Sequence, residues 1–257
     1  MKILSWRKKK SIISILFFLF LIIASYFQID KEINTNMNTD DMPIYSVDTN
    51  ERKISLTFDI NWAEKDNIYS ILDTLDKYNV KGTFFIIGSW VEYTPENIEK
   101  LKAIYGRGHE IGNHSFKHPL FSKIGNDNIK NELKKTDEVI EKYTGEKTKL
   151  FRFPSGDYDK RSCKAVVEAG YIPIQWDVDS VDWKELGEEV EYNRVIKGVK
   201  PGSIILFHNN TKYTPKNLER ILKKLTEEGY ECVKIGELIY TENGYIDGNG
   251  KQYIKNF

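Results

Sequence analysis

Short apolar segments alternate with amphipathic segments along most of the chain. Segments such as GTFFII and GSIILFH are brief and continuously apolar, which is typical of buried strands. Segments such as NIYSILDTLDKY repeat apolar residues at helical spacing, with polar residues between them. Strands that are separated by helices of this length predict parallel βαβ units and an α/β fold.

About seven such repeats favour a distorted or incomplete (β/α) barrel of the TIM type, preceded by an N-terminal transmembrane helix. An open doubly wound sheet is the second candidate. We assign the repeats to one domain, residues 43–241. The short tail, residues 242–257, contains GYIDGNGKQYI, which has the pattern of a small hairpin with its turn at residues 247–250.

The segments that precede this domain differ from it in kind. Residues 1–10 are basic, and residues 11–27, SIISILFFLFLIIASYF, carry no charge. An apolar run of this length is near the lower limit for a membrane-spanning helix, and the bulky Tyr26 and Phe27 make a poor signal-peptidase site. We therefore predict an uncleaved transmembrane anchor rather than a cleaved signal peptide, with the N-terminus in the cytoplasm and the remainder extracytoplasmic. Residues 28–42 are polar and typical of a flexible linker.

The charge is balanced, with 38 basic and 38 acidic residues, so no global field favours a nucleic-acid partner. No glycine-rich loop follows a predicted strand, and a bound nucleotide is therefore not expected. The two cysteines, Cys163 and Cys232, lie in apolar periodic segments, which favours two buried thiols over one disulfide.

Polar side chains that can do chemistry follow several of the predicted strands. Asp59, Arg152 and Asp179 are at such positions, as are three of the four histidines. In a (β/α) barrel the carboxyl ends of the strands form one rim, where active sites are built. We therefore expect these side chains, which are far apart in the sequence, to meet at one mouth of the barrel.

His114 and His118 are four residues apart in NHSFKHP. In a helical turn, two such imidazoles lie on one face and bind a divalent cation, usually zinc; the alternative is a structural or solvated pair. Arg152 lies in the apolar segment FRFPSG, where a buried guanidinium needs a carboxylate partner. Asp59 is the expected partner, either as a catalytic carboxylate that Arg152 orients or as half of a structural ion pair.

The segment WDVDSVDW carries Asp179 and Asp182 and ends in Trp183. Either acid can orient a histidine and raise its pKa; the alternative is a solvated strand end. An exposed Trp183 suits stacking against a sugar ring, whereas a buried one is a core residue. His208 ends the apolar strand IILFH, either as a general acid at the barrel mouth or as a core histidine.

Five segments, TFD, HSFKH, RFPSG, DVDSVDW and LFH, resemble in order and spacing the motifs of carbohydrate esterase family 4, the NodB-homology polysaccharide deacetylases. The resemblance covers about residues 53–239, and TFDINW, HEIGNH and IQWDVDSVDW are most similar to the PdaB-type branch associated with spore formation. It implies a metal-dependent hydrolase that removes acetyl groups from N-acetylated sugars of a cell-wall polysaccharide.

By position, the resemblance makes Asp59 the general base that activates a water molecule and Arg152 the residue that orients it. His114 and His118 become ligands of a divalent metal, expected to be zinc. The backbone N–H near Ser155 would bind the developing oxyanion. His208 becomes the general acid, tuned by Asp179 or Asp182, and Trp183 and Leu206 fall on the substrate side of the site.

One position departs from the family pattern. Ile60 replaces the second aspartate of the family's TFDD motif, which is the third protein ligand of the metal, and an isoleucine cannot coordinate. Asp59 is then a candidate third ligand. Two hypotheses follow: a membrane-anchored deacetylase of peptidoglycan or a related N-acetylglucosamine polymer, or a catalytically weak or inactive wall-glycan-binding protein on a deacetylase scaffold. Deacetylation of muramic acid residues, or cleavage of an O-acetyl ester, would use the same chemistry.

Overall fold

The computed structural model describes residues 42–255. The predicted anchor, residues 11–27, the basic segment before it and nearly all of the predicted linker lie outside the described residues. Among the residues that are described, no helix is both long and apolar enough to cross a membrane.

The described chain contains eleven strands, most of them short. They are β1 Ser46–Val47, β2 Lys53–Ile60, β3 Thr83–Ile86, β4 Glu110–Asn113, β5 Leu150–Phe151, β6 Ile172–Pro173, β7 Val178–Asp179, β8 Ile204–His208, β9 Glu231–Cys232, β10 Gly244–Ile246 and β11 Lys251–Ile254. Eight of them form one parallel sheet, in which β9 pairs with the start of β2 and the other seven follow the order β6-β5-β4-β3-β2-β8-β7. The two edges of this path, β6 and β7, do not pair with each other within residues 42–255. The prediction of an α/β fold with an incomplete (β/α) barrel is therefore confirmed.

Helices connect the parallel strands. They are α1 Ile68–Lys77, α2 Gly88–Val91, α3 Pro95–Gly106, α4 Asn126–Thr144, α5 Lys160–Glu168, α6 Glu188–Gly198, α7 Thr214–Glu227 and α8 Ile235–Leu238. Local signals explain several of their ends. Thr94 caps α3 by accepting a hydrogen bond from the Asn97 N–H, and Gly145 ends α4 in the left-handed conformation.

The central strand β2 shows how the sheet sorts its side chains. Ile54, Leu56, Phe58 and Ile60 belong to the apolar cluster that also contains the buried faces of α1, α3 and α7. The alternate residues of β2 are polar and point to the other face of the sheet. In the register of the parallel strands, Thr57 lies beside Leu206 of β8 and Asp59 lies beside His208. Strand alternation therefore places Asp59 on the face opposite the cluster that contains Ile60.

The gap between β6 and the start of β8 is bridged by the first described residues. The Ile44 N–H bonds to the Pro173 carbonyl at 2.9 Å, and the Val47 N–H bonds to the Gly202 carbonyl at 2.9 Å. The C-terminal residues form an antiparallel hairpin, β10 and β11, and β11 pairs in parallel with β1. The tail is thus joined to the barrel through β1. Cys163 is buried and Cys232 is half-buried, and both are thiols.

The close approach of β1 to Gly202 generates a stability prediction. Gly202 has φ +81°, and a Cβ there would lie 1.8 Å from the Val47 carbonyl oxygen. Gly229 has a similar φ of +77° with no atom within 4 Å of such a Cβ. Gly202→Ala should therefore lower the free energy of unfolding by about 1–3 kcal/mol more than Gly229→Ala. Both variants place an alanine in the left-handed region, but only at position 202 does the new Cβ clash with a neighbouring atom. Equilibrium urea denaturation measures the difference, and equal losses would contradict the bridging role of β1.

Candidate active site

The candidate site lies at the carboxyl ends of the parallel strands, as expected. A cavity of about 490 Å³ is lined by the following residues: Asp59, Asn61, His114, His118, Ser155, Trp176, Asp179, Trp183, Leu206, His208 and Asn210. Arg152 and Asp182 lie behind the cavity wall, where Arg152 bonds to Asp59 and Asp182 bonds to His208. The structure therefore brings together every residue to which the sequence assigned a role in the site.

Arg152 is fully buried. All three nitrogens of its guanidinium donate hydrogen bonds. One terminal nitrogen donates to Asp59 Oδ1 and to Thr57 Oγ1, both at 2.8 Å. The other donates to the Gln175 carbonyl at 3.0 Å. The guanidinium carbon lies 4.1 Å from the centre of the Phe85 ring, so the charge is also stacked on an aromatic face. This environment fixes the position of Arg152 and, through it, the position of Asp59.

Asp59 lies between Arg152 and the imidazole of His114. Burial raises the pKa of Asp59, but Arg152 and, to a lesser extent, His114 and His208 outweigh burial and hold that pKa below its ordinary value. The carboxylate is therefore ionised at neutral pH. Its second oxygen, Oδ2, lies 3.5 Å from Nε2 of His114 and is the atom that faces the metal-ligand candidates.

The hydrogen-bond partner of His114 Nδ1 identifies which ring nitrogen carries the proton. Nδ1 lies 2.9 Å from the Arg152 carbonyl oxygen, and a carbonyl only accepts, so we assign the proton to Nδ1 and a lone pair to Nε2. Burial lowers the pKa of His114 to about 4, which keeps the ring neutral. The Nε2 lone pair and the Asp59 carboxylate are thus two acceptors that face each other, an arrangement that favours a cation between them.

The loop that carries His118 is not the helical turn that the spacing predicted. Ser115 and His118 have φ values of +65° and +60°, which are incompatible with a helix. The buried Glu132 of α4 holds the loop instead by accepting hydrogen bonds from the backbone N–H groups of Phe116 and Lys117. The two imidazoles still lie together, with ring centres 5.0 Å apart and planes at 75°.

His208 and Asp182 form a buried pair at the end of β8. Nδ1 of His208 lies 2.7 Å from Asp182 Oδ1, and the His208 backbone N–H donates to Oδ2 of the same carboxylate at 2.8 Å. Burial lowers the pKa of His208, but the hydrogen bond and the charge of Asp182 outweigh it and raise that pKa above its ordinary value. Of the two acids that the sequence left open, Asp182 is the partner of His208. Asp179 lines the cavity, and its Oδ1 accepts from the Val181 N–H at 2.7 Å.

The remaining predicted residues lie on the cavity wall. Trp183 is 56% exposed and Leu206 is buried. Ser155 has a left-handed backbone, with φ 55°, within a turn at Pro154–Gly156 that follows β5 and Arg152. Three further wall residues, Asn61, Trp176 and Asn210, have no role assigned from the sequence. Asn61 lies two positions after Asp59, and Asn210 lies two positions after His208. This closeness to candidate catalytic residues at strand ends could have identified both from the sequence.

Similarity of the chain to known proteins agrees with this site geometry. Residues 46–174 match the family model described as polysaccharide deacetylase. The chain belongs to the polysaccharide deacetylase family. Members of this family, carbohydrate esterase family 4, are hydrolases of carbon–nitrogen bonds other than peptide bonds and are generally metal-dependent. The resemblance drawn from the five motifs is thereby confirmed.

Three curated relatives of this deacetylase-family chain come from Bacillus. The peptidoglycan-N-acetylmuramic acid deacetylase PdaA of Bacillus subtilis is 34% identical, over 82% of this chain and 80% of PdaA. A peptidoglycan-N-acetylglucosamine deacetylase of Bacillus cereus is 33% identical, over 75% of this chain and 70% of its own length. The uncharacterised protein YlxY of Bacillus subtilis is 34% identical over 77% of this chain, which spans 60% of YlxY.

Solved structures of the family include a pseudoenzyme. The wild-type pseudoenzyme of carbohydrate esterase family 4 from Bacillus anthracis is 32% identical, with a TM-score of 0.73, over 84% of this chain and 74% of that one. A mutant of that pseudoenzyme with restored enzymatic activity is 36% identical, with a TM-score of 0.72, over 77% of this chain and 71% of that one. The fold of this chain therefore occurs in both active and inactive forms.

The residues of this site do not form a complete zinc centre. Structural and catalytic zinc is held by at least three protein ligands. Within residues 42–255, no group of three or more His, Cys, Asp or Glu side chains is arranged to hold a metal ion. Ile60, at the position of the family's third ligand, is fully buried in the apolar cluster between sheet and helices. The site therefore offers donor atoms for a cation but lacks a full set of ligands for zinc.

The His208–Asp182 pair predicts a pH effect. In Asp182→Asn the carboxylate that raises the pKa of His208 is lost while burial remains, so that pKa should fall. A raised histidine pKa stabilises the fold below about 6.5, its ordinary unfolded value, and this contribution is lost as pH rises through the folded value. The stability advantage of the wild type over Asp182→Asn should therefore shrink at alkaline pH. NMR titration of the imidazoles measures the shift, with His109 as the internal control; an unchanged His208 titration would contradict the pairing.

Ile60 predicts a metal-linked stability effect. Ile60→Asp buries a carboxylate in an apolar cluster, so its melting temperature in chelator should fall well below that of the wild type. The resemblance makes position 60 the family's metal-ligand position, and Ile60 is the last residue of β2, where a carboxylate that turns out of the cluster toward the two histidines should let added zinc raise the melting temperature of this variant. Ile60→Asn, which has similar size and no charge, is the control and should gain little from zinc. Equal responses of both variants in a thermal-shift titration would show that position 60 does not reach the two histidines.

Proposed function

We propose that this protein is an extracytoplasmic polysaccharide deacetylase, held to the membrane by residues 11–27, that hydrolyses N-acetyl groups of peptidoglycan or a related N-acetylglucosamine polymer. We place it in sporulation or cell-wall remodelling. The observation that carries the proposal is the ionised Asp59, oriented by buried Arg152 and placed in one cavity with the His208–Asp182 pair. The deacetylase relatives from Bacillus support the choice of substrate.

The geometry supports a two-step hydrolysis of the amide. Asp59 accepts a proton from a water molecule, whose oxygen attacks the acetyl carbonyl carbon. The backbone N–H near Ser155 donates to the oxygen that gains negative charge in the tetrahedral intermediate. His208, whose pKa Asp182 raises, then donates a proton to the sugar nitrogen as the carbon–nitrogen bond breaks. The products are acetate and a free amino sugar.

The environments of the two catalytic groups suit these opposite roles. Asp59 has its pKa held low, so it is available as a base, whereas His208 has its pKa raised, so it is available as an acid. Such a separation of the pKa values of neighbouring groups is a common property of acid–base sites. Trp183, exposed at the cavity edge, is the surface on which we place a sugar ring.

His114 and His118 are the donors that we assign to a divalent cation, expected to be zinc. Both imidazoles have lowered pKa values because they are buried, and a neutral imidazole is the form that binds metal. With Ile60 in place of a third ligand, binding should be weak, so we expect less than one zinc per purified chain. Metal analysis of the wild type and of His114→Ala measures this directly.

A second candidate function is favoured by one observation. Ile60 is apolar and fully buried where the family has a metal-binding aspartate, and a relative of similar fold is a pseudoenzyme. The second candidate is therefore a non-catalytic protein that binds wall glycan on a deacetylase scaffold. It keeps the cavity and its aromatic edge and has no turnover.

Acetate release separates the two candidates. The wild type, supplied with zinc or cobalt, should release acetate from N-acetylated peptidoglycan, and Asp59→Asn should be slower by about 10²–10⁴-fold because the general base is lost. Since Asp59→Asn leaves Arg152 without its carboxylate, circular dichroism must show that the variant is folded. His208→Gln provides a second variant, and Asp73→Asn, on the exposed face of α1, is the control. Wild-type release no greater than that of Asp59→Asn would leave the glycan-binding function as the answer.

A further inference from the structure

A chain of buried polar side chains leads away from the His208–Asp182 pair and ends at Glu191 of α6. The side chains of Asp182, Glu191, Thr211 and Thr214 are each at most 3% exposed. Thr214 Oγ1 lies 3.0 Å from Asp182 Oδ2 and 3.0 Å from Glu191 Oε1. A buried glutamate is therefore separated by a single hydroxyl group from the carboxylate that bonds to the candidate general acid.

The hydroxyl protons of this chain are too few for two ionised carboxylates. A threonine hydroxyl has one proton to donate, yet Thr214 lies within hydrogen-bond distance of both Asp182 and Glu191. Thr211 supplies a second proton on the Asp182 side, where its Oγ1 lies 3.4 Å from Asp182 Oδ2 and 2.7 Å from Thr214 Oγ1. A proton on Glu191 removes the shortage, because Oε1–H then donates to Thr214 and the proton of Thr214 goes to Asp182.

The other oxygen of Glu191 supports the same assignment. Oε2 is buried and has no hydrogen-bond partner in the part of the chain that the structure describes. An unpaired oxygen costs less on a neutral carboxyl group than on a carboxylate. Burial and the negative charge of Asp182 raise the pKa of Glu191 to about 7, and Glu188 of the same helix acts in the same direction. Two cations of α7, Lys216 and Arg220, bond to Glu188 at 2.9 Å.

We propose that Glu191 is a positioning residue for the candidate general acid, which it reaches through the hydroxyl group of Thr214. Protonated Glu191 donates to Thr214, and Thr214 donates to Asp182 Oδ2, which holds Asp182 Oδ1 against Nδ1 of His208. When Glu191 loses its proton to solvent, two carboxylates share the Thr214 hydroxyl and a second negative charge lies behind Asp182. His208 then binds its own proton more tightly. The catalytic meaning of this chain rests on the proposed function.

NMR titration of the His208 imidazole tests the coupling without turnover. In the wild type, Glu191 and His208 titrate in overlapping pH ranges, so the His208 curve should be broadened or show two steps. Glu191→Gln keeps an N–H group that can donate to Thr214 but cannot become charged. Its His208 curve should have a single step, with a midpoint lower by about 0.5–1 pH unit. Glu189→Gln makes the same change at an exposed position of α6 and should leave the curve unchanged.

A double variant tests the route through Thr214. Thr214→Val keeps the shape of the side chain but removes the hydroxyl group, so the two carboxyl groups no longer share a donor. In this background, Glu191→Gln should move the His208 midpoint by no more than about half as much as it does in the wild type. Asp59 and Asp179, the other carboxylates that act on His208, are unchanged in every variant. An equal shift in both backgrounds overturns the route.

Infrared spectroscopy of the full chain gives a readout that does not depend on His208. A neutral carboxyl group has a C=O band that is separate from the bands of carboxylates. The wild type should show such a component that disappears as pH is raised through about 7, that is absent from Glu191→Gln and that persists in Glu189→Gln. Because a neutral amide replaces a neutral carboxyl group of the same size, Glu191→Gln should fold, and the wild-type band alone tests the assignment if it does not.

The outcomes separate this proposal from the proposed function. Infrared spectra that Glu191→Gln leaves unchanged, or an unchanged His208 curve, overturn the role of Glu191 even if the wild type releases acetate. A coupled curve that depends on both Glu191 and Thr214 supports that role even if the wild type releases none.

Discussion

The buried guanidinium of Arg152 is the constraint on which the site depends. A charge removed from water needs a partner and hydrogen bonds for its remaining donors, and breaking such a pair costs about 3–5 kcal/mol. Arg152 finds both in residues from two strands or strand ends: Asp59 and Thr57 of β2, and the carbonyls of Ile174 and Gln175 just beyond β6. The same ion pair that joins β2 to the residue after β5 therefore also fixes the orientation of the candidate catalytic carboxylate. One contact serves both the stability of the fold and the geometry of the candidate site.

That arrangement was largely predictable from the sequence. An arginine between phenylalanines signals a buried charge, and a lone aspartate at the end of an apolar strand is its natural partner. The rule that the carboxyl ends of parallel strands share one edge then brings both to the histidines. What could not be predicted is how the loops turn. Val181 adopts a left-handed conformation between Asp179 and Asp182, so strand alternation, which treats the segment as regular, cannot say which acid reaches His208.

The conformation of the histidine loop and the docking of the C-terminal hairpin onto β1 were beyond prediction for a similar reason. Spacing of four residues between His114 and His118 favours a helical turn, but Glu132, far along the chain, holds the loop in another conformation. The hairpin pattern in the tail is local and readable, whereas its pairing with β1 depends on a contact across the whole domain. The hairpin, which a local pattern sets, was predicted, whereas the conformation of the histidine loop and the pairing with β1, which contacts with distant residues set, were not.

The position of Ile60 explains why fold and catalysis can separate in this family. Its side chain contributes to the apolar cluster that supports β2, so replacing an aspartate with isoleucine adds buried apolar surface and removes a buried carboxylate. Asp59, Arg152, His208 and Asp182 lie on the other side of the sheet, and their mutual contacts do not involve Ile60. An apolar residue at position 60 is therefore compatible with the observed contacts of the candidate base and the candidate acid. Asp59 and His208 share one cavity through contacts that involve neither Ile60 nor a cation, so the acid–base geometry and the metal affinity of this site are separate properties.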